Sequence, residues 1–145
     1  MISIDTTKIV LETIYEGRHG SLSYKADSHT LLCSLHASYV PMAEFRVLLE
    51  KAGIVIKEKT ITKFILDKRK LTVFHQPSME WYHIYWKEEM YRFGLTSHRK
   101  LIPDDALFKE SIDIGRRKIL KENPSFDYGK YDIIYCKTLE EAFRQ

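Results

Sequence analysis

Residues 61–67 read I-T-K-F-I-L-D, a nearly continuous apolar run closed by an acid. The run is short, β-branched and aromatic, which predicts a strand buried inside a sheet. Just upstream, Phe45, Leu48, Leu49, Ala52 and Ile56 recur at three- and four-residue spacing. That period predicts a helix, and Pro41, whose fixed φ suits a first helical turn, opens it. A strand reached through a helix runs parallel to one neighbour, so these two segments already point to an α/β sheet.

Toward the N-terminus the pattern turns to strands. Lys8–Tyr15 (K-I-V-L-E-T-I-Y) is short and β-branched, and a break follows at Gly17–Gly20. Ser21–Ala26 alternates Leu22 and Tyr24 with polar residues, and Asp27–His29 suits a turn. Thr30–Ala37 places Leu31, Cys33 and Leu35 on one face and Leu32, Ser34 and His36 on the other. Connections this short predict an antiparallel meander of two or three strands.

Toward the C-terminus, Thr72–Gln76 reads as a loop, and a helix runs from Ser78, a good N-cap residue, to Phe93, stopping at Gly94. Lys100–Ile102 is a weak strand candidate, and a helix from Asp104 to Leu120 follows Pro103. After a loop at Asn123–Ser125, Tyr131–Lys137 forms the last strand. Thr138 with Glu141 three residues on has capping-box spacing for a short terminal helix. The order predicts a single domain over residues 1–145: an α/β sandwich on a mixed sheet, with no repeat or linker to divide it.

Composition narrows the function classes. The 145 residues are 44% hydrophobic and 12% aromatic, enough for a core without staples. Cys33 and Cys136 lie far apart in apolar alternating runs and read as buried thiols. No apolar run reaches the length of a membrane span, and no charged segment followed by an apolar one opens the chain, so a cytoplasmic location is expected. A net charge of +3 is mild, and the basic windows at Lys57–Lys70 and Arg116–Lys121 are diluted by acids. They read as solvated faces rather than a nucleic-acid surface.

Motifs of catalysis are missing. No Gly-rich phosphate loop, C-x-x-C or H-E-x-x-H occurs, so neither a cofactor nor a metal is expected. His75, His83 and His98 fall within a short stretch, and acid/base work would need them to converge in space. Asp67, followed by Lys68 and Arg69, ends the buried strand. The carboxyl ends of strands are where crevices form in open α/β sheets, while an acid there also serves simply to close a turn. From Met79 to Phe93 the sequence crowds Trp81, Tyr82, Tyr85, Trp86, Tyr91 and Phe93 onto four turns. Tyr82, Trp86, Met90 and Phe93 follow one stripe and Trp81 and Tyr85 another, which stays partly exposed unless a ligand, a partner or another helix covers it.

Taken together, F-R-V-L-L-E-K-A (residues 45–52), I-T-K-F-I-L-D-K-R-K-L (61–71), E-W (80–81) and T-L-E-E-A-F (138–143) resemble the SpoIIAA-like, STAS-type domains that occur as short stand-alone bacterial proteins. The resemblance covers most of the chain from Ser21 onward. It implies a mixed sheet with helices mainly on one face, and a regulatory or sensing role rather than turnover. In related anti-sigma-factor antagonists a serine in an Asp-Ser-Ser-Gly loop is phosphorylated. Here the corresponding loop reads T-V-F-H-Q-P-S-M (72–79), lacks that tetrad, and offers only Ser78. STAS-type folds are also similar to lipid-carrying Sec14-type domains, which enclose an apolar ligand. The expectation is a non-enzymatic regulatory or interaction domain, acting on a protein partner or as a homodimer. Its working face is Asp67, Lys68, Arg69, Trp81 and Tyr85. The alternative is a binder of a small apolar ligand or lipid.

Overall fold

The computed structural model describes residues 9–145. Among these, six strands form one sheet in the order of the chain: β1 (Glu12–Glu16), β2 (Gly20–Lys25), β3 (Thr30–Leu35), β4 (Lys63–Asp67), β5 (Ser97–Leu101) and β6 (Asp132–Tyr135). The first three pair antiparallel, and β3 through β6 pair parallel. The meander is as expected, except that its first strand runs Glu12–Glu16 rather than 8–15: residues 9–11 lie outside it, and Lys8 lies outside the described residues. β4 has parallel neighbours on both sides rather than one, because β5 pairs along its whole length.

Each parallel step is made by helix. α1 (Met42–Lys59) links β3 to β4; α2 (Gln76–Trp81), a π-helical segment (Tyr82–Trp86) and α3 (Lys87–Tyr91) link β4 to β5; α4 (Ala106–Glu122) links β5 to β6. Crossovers of one hand that advance one strand at a time leave their helices on one face of the sheet. The larger core lies there, where Leu31, Cys33, Phe64 and Leu66 meet Phe45, Leu49, Tyr82 and Trp86. The alternate residues Leu32, Ile65 and Leu101 face the other way and are covered by α5 (Leu139–Arg144). Lys63 Nζ donates to the Ala142 and Phe143 carbonyls and Arg99 to that of Gln145, so two cations close the last turn of α5.

Two local expectations are corrected. Ser78 does not cap the helix: His75 does, its Nδ1 accepting from the Ser78 N–H at 3.3 Å, because Pro77 already fits the first turn beyond it. The fifth strand begins at Ser97, three residues before the weak candidate at Lys100, and reads S-H-R-K-L. Its His98, Arg99 and Lys100 are all buried, whereas a pattern read for apolar alternation scores them as loop. Gly94, at φ +99°, ends the helical crossover as expected. Thr138 Oγ1 accepts from the Glu141 N–H.

Phe64 sits at the centre of this packing, fully buried on β4 with its ring 4.9 Å from that of Trp86. Replacing Phe64 by Ala leaves a cavity between sheet and helix and is expected to cost about 3–5 kcal/mol. Urea unfolding of the two proteins measures it; a loss below about 1 kcal/mol would contradict this packing.

Candidate functional site

The even-numbered residues of β4 and β5 point toward the helical layer, and at the carboxyl ends of these strands the series turns from apolar to cationic. Phe64 and Leu66 are followed by Lys68, and His98 by Lys100. Above them the π-helical segment supplies Tyr82 and His83 and the next turn supplies Lys87. In this segment the Lys87 N–H donates to the Tyr82 carbonyl five residues back. The wider turn brings Tyr82, His83, Trp86 and Lys87 all into the interior. α4 adds Arg116 and β6 adds Tyr135.

Lys68, Lys87 and Lys100 are 2%, 0% and 1% exposed. Lysine is almost never fully buried without an acid beside it. Among the described residues no carboxylate forms an ion pair with any of the three, nor with Arg116. Lys87 Nζ, fully buried, finds no hydrogen-bond partner. Lys100 Nζ is 3.5 Å from His83 Nε2. The Tyr82 ring centroid is 4.9 Å from Lys87 Nζ and 5.0 Å from Lys100 Nζ, and Arg116 stacks on Tyr128 at 4.2 Å. Cation–π contacts of this kind offset part of the desolvation cost but supply no counter-charge.

Burial sets the protonation states. It holds Lys87 and Lys100 well below the ordinary lysine range, and their charges add to burial in pushing the His83 imidazole well below its own. Burial brings Lys68 down to about 8.

A narrow cleft opens onto this cluster, with Lys68, Lys100, His83, Arg116 and Tyr135 in its wall. Its volume of ≈ 10 Å³ matches one water-sized group. A second cleft of ≈ 20 Å³ shares Lys68, Phe74 and Met79 with it and is otherwise walled by His75, Ser78 and apolar side chains such as Val40, Phe45 and Phe108. Gly115 of α4 lets Phe74 and Gln76 seat against it. A Cβ there would stand 2.2 Å from Gln76 Oε1 and 2.9 Å from the Phe74 ring, so these two side chains form the rim.

The residues expected from sequence are distributed differently. Lys68 lies in the cluster. Asp67 points to the opposite side of the sheet and is clamped by Arg69, with Nε to Oδ1 at 3.0 Å and Nη2 to Oδ2 at 2.8 Å; it closes a turn. Trp81 packs against Phe45 and under Arg46. Tyr85 is 68% exposed. Ser78 is buried, with its hydroxyl 2.8 Å from His75 Nδ1. His75, His83 and Asp67 share no hydrogen bond, and His98 is enclosed between Phe64 and Tyr131. Lys87, Lys100, Arg116 and the π-helical turn were not singled out in the sequence. The signal was a lysine five residues after Tyr82 on the inward stripe, and another two residues after a histidine in an alternating strand.

Lys68 gives a pH signature. Below about pH 8 both folded and unfolded chains carry its proton and the folded chain bears the full cost of burying it. Between about 8 and the ordinary lysine value of 10.5 the folded chain sheds the proton first, so stability rises with pH. Lys68→Met is expected to raise stability at neutral pH by up to about 3 kcal/mol and to flatten that rise. Urea unfolding across this range measures both, and a destabilised variant with an unchanged slope would show that the amine is paired.

A scan against protein-family models, a search of curated proteins and a search of solved structures each find no match to the chain, so the reading of this site rests on its own geometry.

Proposed function

We propose that this chain is a binding or sensing domain for a small oxyanion, a carboxylate above all, held at the carboxyl ends of β4 and β5. One observation carries the reading: three buried lysines and an arginine converge with no carboxylate among them. Isolated buried charge is costly, and a site built this way recovers that cost when an anion enters. The mostly apolar cleft that shares Lys68 has room for about one methyl-sized group beside the anion. This joins the two earlier expectations, a regulatory domain and a binder of a small apolar molecule, in one ligand with a charged head. A mixed sheet with its helices mainly on one face supports the resemblance to STAS-type domains at the level of fold class.

The affinity is expected to depend on pH with a definite sign. A bound anion favours the protonated form of Lys68, so binding takes up a proton and weakens as pH rises through about 8. Sulfate and propanoate keep their charge over that range. Titration calorimetry is expected to find both bound at about pH 7, about tenfold weaker at about pH 9, and weaker again in Lys68→Met and Arg116→Gln. Absence of heat or thermal stabilisation with either anion would sink the reading.

A second reading, association with another copy of the chain, is favoured by one observation. Tyr85 and Ile54, 68% and 57% exposed, line a shared groove between the π-helical segment and α1. Sedimentation velocity is expected to show a dimer that Tyr85→Ala converts to monomer. A monomeric parent protein disposes of it.

A further inference from the structure

In the wall of the narrow cleft, Lys68, Lys100 and Arg116 are pure donors when charged, because ammonium and guanidinium groups carry no lone pair. A group seated among them has to accept hydrogen bonds from several directions and donate in none. Water meets that condition poorly, since both of its protons would face cations. Size sets the second condition. At ≈ 10 Å³ the cleft holds one water-sized group, so a carboxylate or sulfate can present one oxygen to it but cannot enter whole. The third observation concerns charge. Lys87 Nζ and His83 Nδ1, both buried, have no hydrogen-bond partner, and among the described residues no carboxylate pairs with Lys68, Lys87, Lys100 or Arg116. The interior lacks a negative charge, and the space left for one is that of a single atom.

We infer that this cleft is a chloride site: one halide ion, little larger than a water, seats among Lys68, Lys100 and Arg116 and competes there with the oxygen of any incoming oxyanion. The inference rests on the cationic wall that also carries the oxyanion reading, and adds the limit set by size. A monatomic anion accepts from every side, so it can take donors from three elements at once. Lys68 follows β4, Lys100 belongs to β5 and Arg116 to α4. The rest of the wall includes Met79, Ile112 and Ile119, and an apolar surround strengthens each attraction to the ion. Because the ion binds the folded chain, it stabilises the fold by mass action. It also makes the apparent affinity for an oxyanion fall as chloride rises.

The test uses chloride and bromide as probes, with sodium gluconate at equal ionic strength as the control, because its anion exceeds the cleft. The protein is expected to melt higher in chloride than in gluconate and to broaden the chloride NMR line. Lys68→Met and Arg116→Gln are each expected to reduce that broadening several-fold, whereas Lys121→Gln, at an exposed position of α4, leaves it unchanged. Anomalous diffraction from crystals grown in bromide is expected to place the ion among Lys68, Lys100 and Arg116. Broadening lost equally in Lys121→Gln comes from surface lysines and overturns the inference, as does a cleft without bromide. If sulfate and propanoate bind and chloride neither binds nor weakens them, the halide site falls and the oxyanion reading stands. If chloride binds and they do not, the reverse holds. With no anion bound, both fall. Should the variants not fold, the bromide position in the parent protein decides.

Discussion

Burying positive charge without an acid beside it is the constraint around which the rest of this structure is arranged. The net cost of taking one ion out of water inside a protein is several kcal/mol, and a domain of this size has only about 5–15 kcal/mol of stability to set against it. Lys68, Lys87 and Lys100 cannot all remain charged at that cost, and the fold eases it in two ways visible in the geometry. The Tyr82 ring serves both Lys87 and Lys100, and the Tyr128 ring serves Arg116 beside them. Neither device removes the deficit, so the cluster keeps buried positive charge with no counter-charge beside it.

The deficit is tolerated because the other half of the same face is apolar. Leu22, Leu31, Cys33 and Leu35 on β2 and β3 pack against Phe45, Leu49, Ala52 and Ile56 of α1, and burial keeps the Cys33 thiol well above the ordinary thiol range and inert. The sheet thus divides across β4: hydrophobic packing on the antiparallel side, and polar and titratable groups on the parallel side, where β5 and β6 bring His98, Lys100 and Tyr135. β4 belongs to both halves. Phe64 and Leu66 join the core, and Lys68, two residues further on the same face, joins the cluster.

Most of the architecture was legible from periodicity. The meander, the helix after Pro41, the buried strand at residues 61–67 and the division of Tyr82, Trp86 and Met90 from Tyr85 all follow from which residues shun water. The site was legible only at Lys68, and there by position at a strand end rather than by character. The rest was hidden by the rule that made the fold readable, since lysine counts as a surface residue in any hydropathy pattern. Hence S-H-R-K-L looked like a weak strand, and Lys87 like the solvent edge of an aromatic helix. Phe93 failed in the opposite sense: it continues the inward stripe on paper but stands 48% exposed, because α3 ends at Tyr91 and Phe93 falls in the turn that leads to Gly94.

That register shift explains how the cluster is assembled. In an α-helix, residues five apart are rotated about 140° from one another, so a helix that buries Tyr82 and Trp86 would carry residue 87 round toward its flank. A turn closed five residues back instead of four reduces that angle and brings Lys87 beneath Tyr82, over the ends of β4 and β5. The π turn has poorer hydrogen-bond geometry than the helix it interrupts, and it places a charge where charge is costly. Neither local propensity nor core packing favours that combination. What the placement does achieve is to add Lys87, with no counter-charge, to the interior that already holds Lys68 and Lys100.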